Sequence, residues 1–151
     1  MTIRLDSQMV DTSLFVIANL VNILVAGILI SRPRGLERVE SVLGLVVIAL
    51  AVPTAAAVVL NLLDRREWWT VVLPSLLVAF LLVELFLDYI LKLDFRNTAL
   101  LWPYLGIYYL ALMAMIGYSF GIGRPYGFAT LTTYFVNLFA TWYSYSQVGH
   151  G

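Results

Sequence analysis

Five apolar runs, each long enough for a membrane-crossing helix, follow one another along this chain with short polar turns between them. They cover approximately residues 10–30, 42–63, 70–91, 98–118 and 126–145. A bilayer core is crossed by about 20 helical residues. Within it, every backbone N–H and C=O must bond inside its own helix or a closed barrel. The pattern predicts an all-α, polytopic integral membrane protein, a single bundle of five transmembrane helices over residues 1–151 with no β-sheet and no soluble domain. Charged residues are 12% of the chain and mean hydropathy is +0.91. A soluble chain carries about 25% charge, so composition supports the same class.

Several chemistries drop out at once. Cysteine is absent, which removes disulfides, thiolate catalysis and Cys-ligated metals. The single histidine is His150, second to last, so bis-histidine haem, a Ser-His-Asp triad and an H-E-x-x-H zinc site are excluded within one chain. Net charge is zero, leaving no basic field for nucleic acid. No metal and no cofactor is expected.

In chain order, polar residues through Asp11 precede the first run, which Ser31-Arg32-Pro33-Arg34 stops. Its length and lack of a small-residue cleavage site predict a retained span rather than a signal peptide. The second run carries Pro53 near its middle, where a kink is expected, and Asn61 near its end. Asp64-Arg65-Arg66-Glu67 makes a charged turn, and Trp68 and Trp69 read as an interfacial belt. Pro74 is expected in the first turn of the third span. Trp102 and Trp142 mark the opposite interface. Gly117 to Gly127 is the one glycine-rich stretch; without a following Gly-Lys-Ser/Thr it reads as a tight turn, not a phosphate loop.

The third span contains the chemistry. Glu84 and Asp88 lie four residues apart, hence on one helical face. A carboxylate in lipid costs about 2.5–3.5 kcal/mol on insertion scales, so it needs a partner or a use. Lys92, at i+4 from Asp88, is the expected ion-pair partner, and Asp94 is expected to pair with Arg96 across the turn. With no Lys or Arg deep in any span, Glu84 is expected to be a neutral acid facing aromatic side chains. In the fifth span Thr130, Thr133, Asn137, Thr141 and Ser144 share one face. Asn19 and Asn22 share another in the first span, and Tyr104 and Tyr108 a third in the fourth. Such groups either glue helices or line a cavity.

Together these residues predict a ligand site between the third, fourth and fifth spans, built from Glu84, Asp88, Asn19, Asn22, Tyr104, Tyr108, Tyr134 and Asn137. Glu84 and Asp88 are also the candidates for any catalysis. The leading expectation is a carrier or binding protein for a small molecule, lipid or cation. One alternative is a cofactor-free membrane enzyme doing acid–base chemistry (isomerase, cyclase or hydrolase type) on a lipophilic substrate. Another is a structural or assembly subunit of a membrane complex. Expected partners are membrane lipids and a small lipophilic or cationic ligand. One such bundle is small for a transporter, so a homo-oligomer is expected too.

The strongly basic first loop orients the N-terminus outside and the C-terminus in the cytoplasm, in a cytoplasmic membrane of prokaryotic type. None of these patterns is a family signature. Reporter fusions at the two termini are expected on opposite sides of the membrane; finding both on one side would contradict five spans.

Overall fold

The computed structural model describes residues 2–148, with side chains described from 7 to 147, and His150 lies outside them. Helices make up nearly all of this stretch: α1 Thr2–Ser31, α2 Glu37–Ala49, α3 Ala51–Leu63, α4 Trp68–Glu84, α5 Leu101–Ile122 and α6 Arg124–Val148. Single 3₁₀ turns, Arg32–Arg34 and Phe95–Asn97, lie in the first and third connections. Four helical stretches are long and apolar enough to cross a membrane: 7–34, 37–63, 68–90 and 101–122. The fifth predicted span corresponds to α6, which has the length, 25 residues, but is diluted by its threonines, tyrosines, serines and asparagine.

Two prolines shape the middle of the chain. Pro53 lacks an N–H and crowds the carbonyl four residues back, at Ala49. There α2 ends, and α3 resumes after Leu50, so the second span is one kinked pair. Pro74 does not lie in a first turn as expected, because α4 already begins at Trp68. Its missing N–H leaves the Thr70 carbonyl without a helical donor. The buried Asn61 amide donates to that carbonyl at 2.8 Å, joining α3 to α4.

The core gathers around α1, which packs against α6, α2, α3 and α5, while α4 lies between α3 and α5. Leu14, Val21, Leu77, Leu81, Ala111 and Tyr118 are fully enclosed. Most of what faces outward is also apolar: Val52, Leu63, Trp102, Phe139 and Trp142 are each at least 70% exposed. Apolar surface on this scale is not a feature of soluble monomers. The turn between α5 and α6 is Gly123 alone, so the glycine-rich stretch is almost wholly helical. Gly121 lets α5 close onto Trp69, where an added Cβ would lie 2.6 Å from the ring. Gly127 does the same for Phe120. Trp68 faces outward, whereas Trp69 turns in against Tyr118.

At one end of the bundle a half-buried ionic cluster ties α1, α3 and α5 through the turn that precedes α4. Arg65 adopts φ 50°, a left-handed conformation costing a non-glycine residue about 1 kcal/mol. The reversal lets the Arg66 N–H bond back to the Asn61 carbonyl at 3.1 Å, as in a Schellman turn. Arg66 then grips Asp11 of α1 with two bonds, 2.8 and 3.0 Å, and reaches Asn61 Oδ1 at 2.8 Å. The Tyr118 hydroxyl donates to Asp11 at 2.5 Å. Hydrogen bonding to Asp11 raises the Arg66 pKa against the opposing effect of burial. Removing Asp11 leaves the half-buried guanidinium with Asn61 Oδ1 as its remaining acceptor. Asp11→Ala is expected to lower unfolding stability by about 1 kcal/mol, read by thermal unfolding in detergent; a loss below about 0.5 kcal/mol, as at ordinary surface sites, would contradict the cluster's role.

Candidate functional site

The last turn of the third span is not α-helical. After Glu84 the chain continues as a π-helix, Leu85–Ile90, with Leu91 N–H bonded to the Phe86 carbonyl five residues back at 2.8 Å. Such widened turns recur at functional sites. Lys92 then takes φ 50° and reverses the chain, so that Leu93 N–H caps the Leu87 carbonyl at 2.9 Å. Phe95 follows and is 1% exposed although it lies in a connection. Its ring packs 4.6 Å from that of Tyr104, which pins the loop into the bundle and fixes the next residue, Arg96.

Arg96, not the expected Lys92, is the partner of Asp88, and it does not pair with Asp94 as the spacing predicts. Its guanidinium holds Asp88 bidentately, both bonds 2.9 Å, and stands 3.8 Å from Glu84. It also lies over the Phe95 ring at 4.6 Å. Asp94 instead accepts from Asn97. The planar fork of arginine matches a carboxylate in a way lysine does not. Burial opposes the Arg96 charge, but hydrogen bonding to Asp88 and the neighbouring carboxylates raise its pKa above the ordinary guanidinium value. Glu84 therefore has a cation beside it, contrary to the expectation that none reaches it. Its other oxygen accepts from the Tyr104 hydroxyl at 2.5 Å.

These groups line two joined spaces. The outer one, about 270 Å³, is walled by Arg32, Glu40, Ser41, Gly44, Glu84, Asp88, Tyr89 and Arg96. The inner one, about 70 Å³, shares Ile28, Arg32, Gly44, Glu84 and Arg96, and continues between Val25, Leu29, Val47, Phe80, Leu105 and Tyr108. Glu84 and Asp88 side chains keep 18% and 22% of their surface exposed, so the outer space opens outward. The chamber lies between α1, α2, α4 and α5, with Thr141 contributed from α6. The predicted position between the last three spans is thus shifted toward the first two. Gly44 matters here, since the Tyr89 hydroxyl approaches it where a Cβ would stand.

Of the other residues singled out, Tyr104 and Tyr108 line the inner space. Asn19, Asn22, Tyr134 and Asn137 line neither space. Asn19 exchanges bonds with Thr130 and Thr133, at 3.1 and 2.8 Å, and Asn22 donates to Thr133 at 3.0 Å. Both tie α1 to α6. Asn137 and the Tyr108 hydroxyl bond each other at 2.8 Å, tying α6 to α5. Tyr134 packs in the apolar core.

The sequence marks Arg32 as a stop signal and a basic loop residue, not as a wall of the chamber. Its side chain folds inward, pairing through Nε with Glu40 at 3.0 Å. Among the described residues no three His, Asp or Glu side chains converge to hold a metal ion. The chamber brings three carboxylates (Glu40, Glu84, Asp88) against two guanidiniums (Arg32, Arg96). No protein-family model, curated protein or solved structure matches this chain.

Breaking this arrangement at its centre should be costly but repairable. Arg96→Met is expected to lower stability by about 2–3 kcal/mol, and adding Asp88→Asn should recover about half, in thermal unfolding of the four members of the cycle. Strict additivity would contradict the pairing.

Proposed function

We propose that this chain is a five-span integral membrane protein that binds, and as a carrier conveys, a small organic cation with an apolar tail. The carrying observation is the charge imbalance of the chamber. With every group ionised, Glu40, Glu84 and Asp88 outnumber Arg32 and Arg96 by one. Glu40 and Asp88 each have a close guanidinium, at 3.0 and 2.9 Å. Glu84, with Arg96 only at 3.8 Å, is the carboxylate left over. A buried or half-buried carboxylate without full compensation attracts a positive charge, whether a proton or a ligand's ammonium group.

The shape supports an organic ligand over a bare ion. The inner space beside Glu84 is walled by aliphatic and aromatic side chains, the lining typical of small-molecule sites. An ammonium at Glu84 with a short alkyl group between Val47, Phe80 and Leu105 satisfies both. The outward apolar faces would contact lipid, and the mouth, lined by groups at the C-terminal ends of α1 and α4, would open on the side rich in Arg32, Arg34, Arg38, Lys92 and Arg96, here taken as cytoplasmic.

Calorimetric titration of the full chain in phosphatidylcholine nanodiscs tests this, with empty discs as blank. Ethyl-, propyl- and butylammonium are expected to bind, increasingly with length, and the alcohols of equal length are not. Glu84→Gln should weaken binding by about tenfold or more, the loss of one charge-assisted hydrogen bond. Equal binding of amines and alcohols, or binding of neither, contradicts the proposal.

A further inference from the structure

Arg32 has a donor that the described residues do not use. Its Nε is taken by Glu40 at 3.0 Å, but Nη1 is buried and meets no acceptor among the described residues. Two other buried side-chain atoms share that condition, Asn22 Oδ1 and Ser144 Oγ, yet neither residue lines the chamber. Arg32 lines both of its parts, together with Glu84. A charged N–H left without an acceptor is costly, and a guanidinium fork is suited to grip an oxygen held beside it.

From this we infer that the ligand carries a neutral oxygen acceptor, a hydroxyl or carbonyl, a few bonds from its ammonium group, and that Arg32 is the residue selecting for it. The inference rests on the proposed cation site at Glu84 and adds the second point of contact. Charge decides the nature of the acceptor. Arg32 is already neutralised by Glu40, and Arg96 by Asp88, at 3.0 and 2.9 Å. An ammonium at Glu84 brings the chamber to balance. A carboxylate or phosphate on the same ligand would then leave one uncompensated negative charge among Glu40, Glu84 and Asp88, whereas a hydroxyl or carbonyl adds none. The expected class is an amino alcohol or amino carbonyl compound, its amine at Glu84 and its oxygen at Arg32 Nη1, with its carbon skeleton against Ile28, which lines both spaces.

The experiment compares ethanolamine, 3-aminopropanol and 4-aminobutanol with ethyl-, propyl- and butylammonium, and with 4-aminobutanoate, on the full chain in nanodiscs. At least one amino alcohol is expected to bind about tenfold more tightly than the alkylammonium of equal carbon number, and more tightly than the zwitterionic 4-aminobutanoate. In the double variant Arg32→Met, Glu40→Gln, which removes one charge of each sign, that ratio should fall to about one whatever the absolute affinities. Alkylammonium binding with no amino alcohol advantage in the wild type overturns this inference, water then serving Arg32, while leaving the Glu84 site standing. Absence of alkylammonium binding overturns both. An advantage that survives the double variant, or a preference for 4-aminobutanoate, also overturns it. Should the double variant fail to fold, the wild-type ratio alone decides.

Discussion

The bidentate bond between Arg96 and Asp88 is the contact on which the chamber depends. Two carboxylates one turn apart in an apolar helix repel each other and resist leaving water. A guanidinium 2.9 Å from one and 3.8 Å from the other makes their proximity tolerable. Holding it there needs three local departures from regular structure. The π turn Leu85–Ile90 widens the helix end, Lys92 takes a left-handed backbone, and Phe95 buries itself under Tyr104. Each costs conformational freedom or strain, and all of them converge on placing one side chain. That concentration of local expense at one point is what distinguishes this turn from an ordinary connection.

The opposite end of the bundle uses the same device. There a left-handed Arg65 returns Arg66 onto Asp11 and Asn61, and the Tyr118 hydroxyl donates to the same Asp11. Between the two ends run the side-chain bonds of Ser119 with Thr130, Asn19 with Thr130 and Thr133, and Tyr108 with Asn137. Their register is specific because each polar group in an apolar bundle must meet its own partner. In the far cluster Arg66 and Asp11 satisfy each other. The chamber end differs in the number of its charged groups, three carboxylates against two guanidiniums.

Much of the fold was legible in the sequence because apolar run length and proline position act locally. Pro53 marks the break between α2 and α3, and the face shared by Thr130, Thr133 and Asn137 does turn inward. Glu84 and Asp88 do share one face, as their spacing predicts, and both lie beside Arg96. What escaped were partners set by turns. Lys92 stood at the favourable spacing from Asp88, but that rule presumes a continuing α-helix, and the π turn with a left-handed Lys92 replaces it by Arg96. Arg32 and Asp11 were read as boundary charges because nothing local tells an arginine at a helix end to fold inward. Burial of Phe95, an aromatic between charges in Leu93-Asp94-Phe95-Arg96, was the one local hint that this connection is anchored rather than solvated. Asn19, Asn22 and Asn137 carried a signal of interior polarity, which helix-to-helix bonds satisfy as well as a ligand would.

Because the chain has no cysteine, one introduced thiol reports without background on the central claim, that the mouth of the chamber is a water-reachable site for positive charge. Ser41 lines the outer space beside Glu40 and Arg32, and Ser41→Cys can be modified in nanodiscs by thiosulfonates of either sign. The cationic reagent is expected to react faster than the anionic one, and both reactions to be slowed by butylammonium but not by butanol. Equal rates for the two reagents, with no protection by butylammonium, would contradict it.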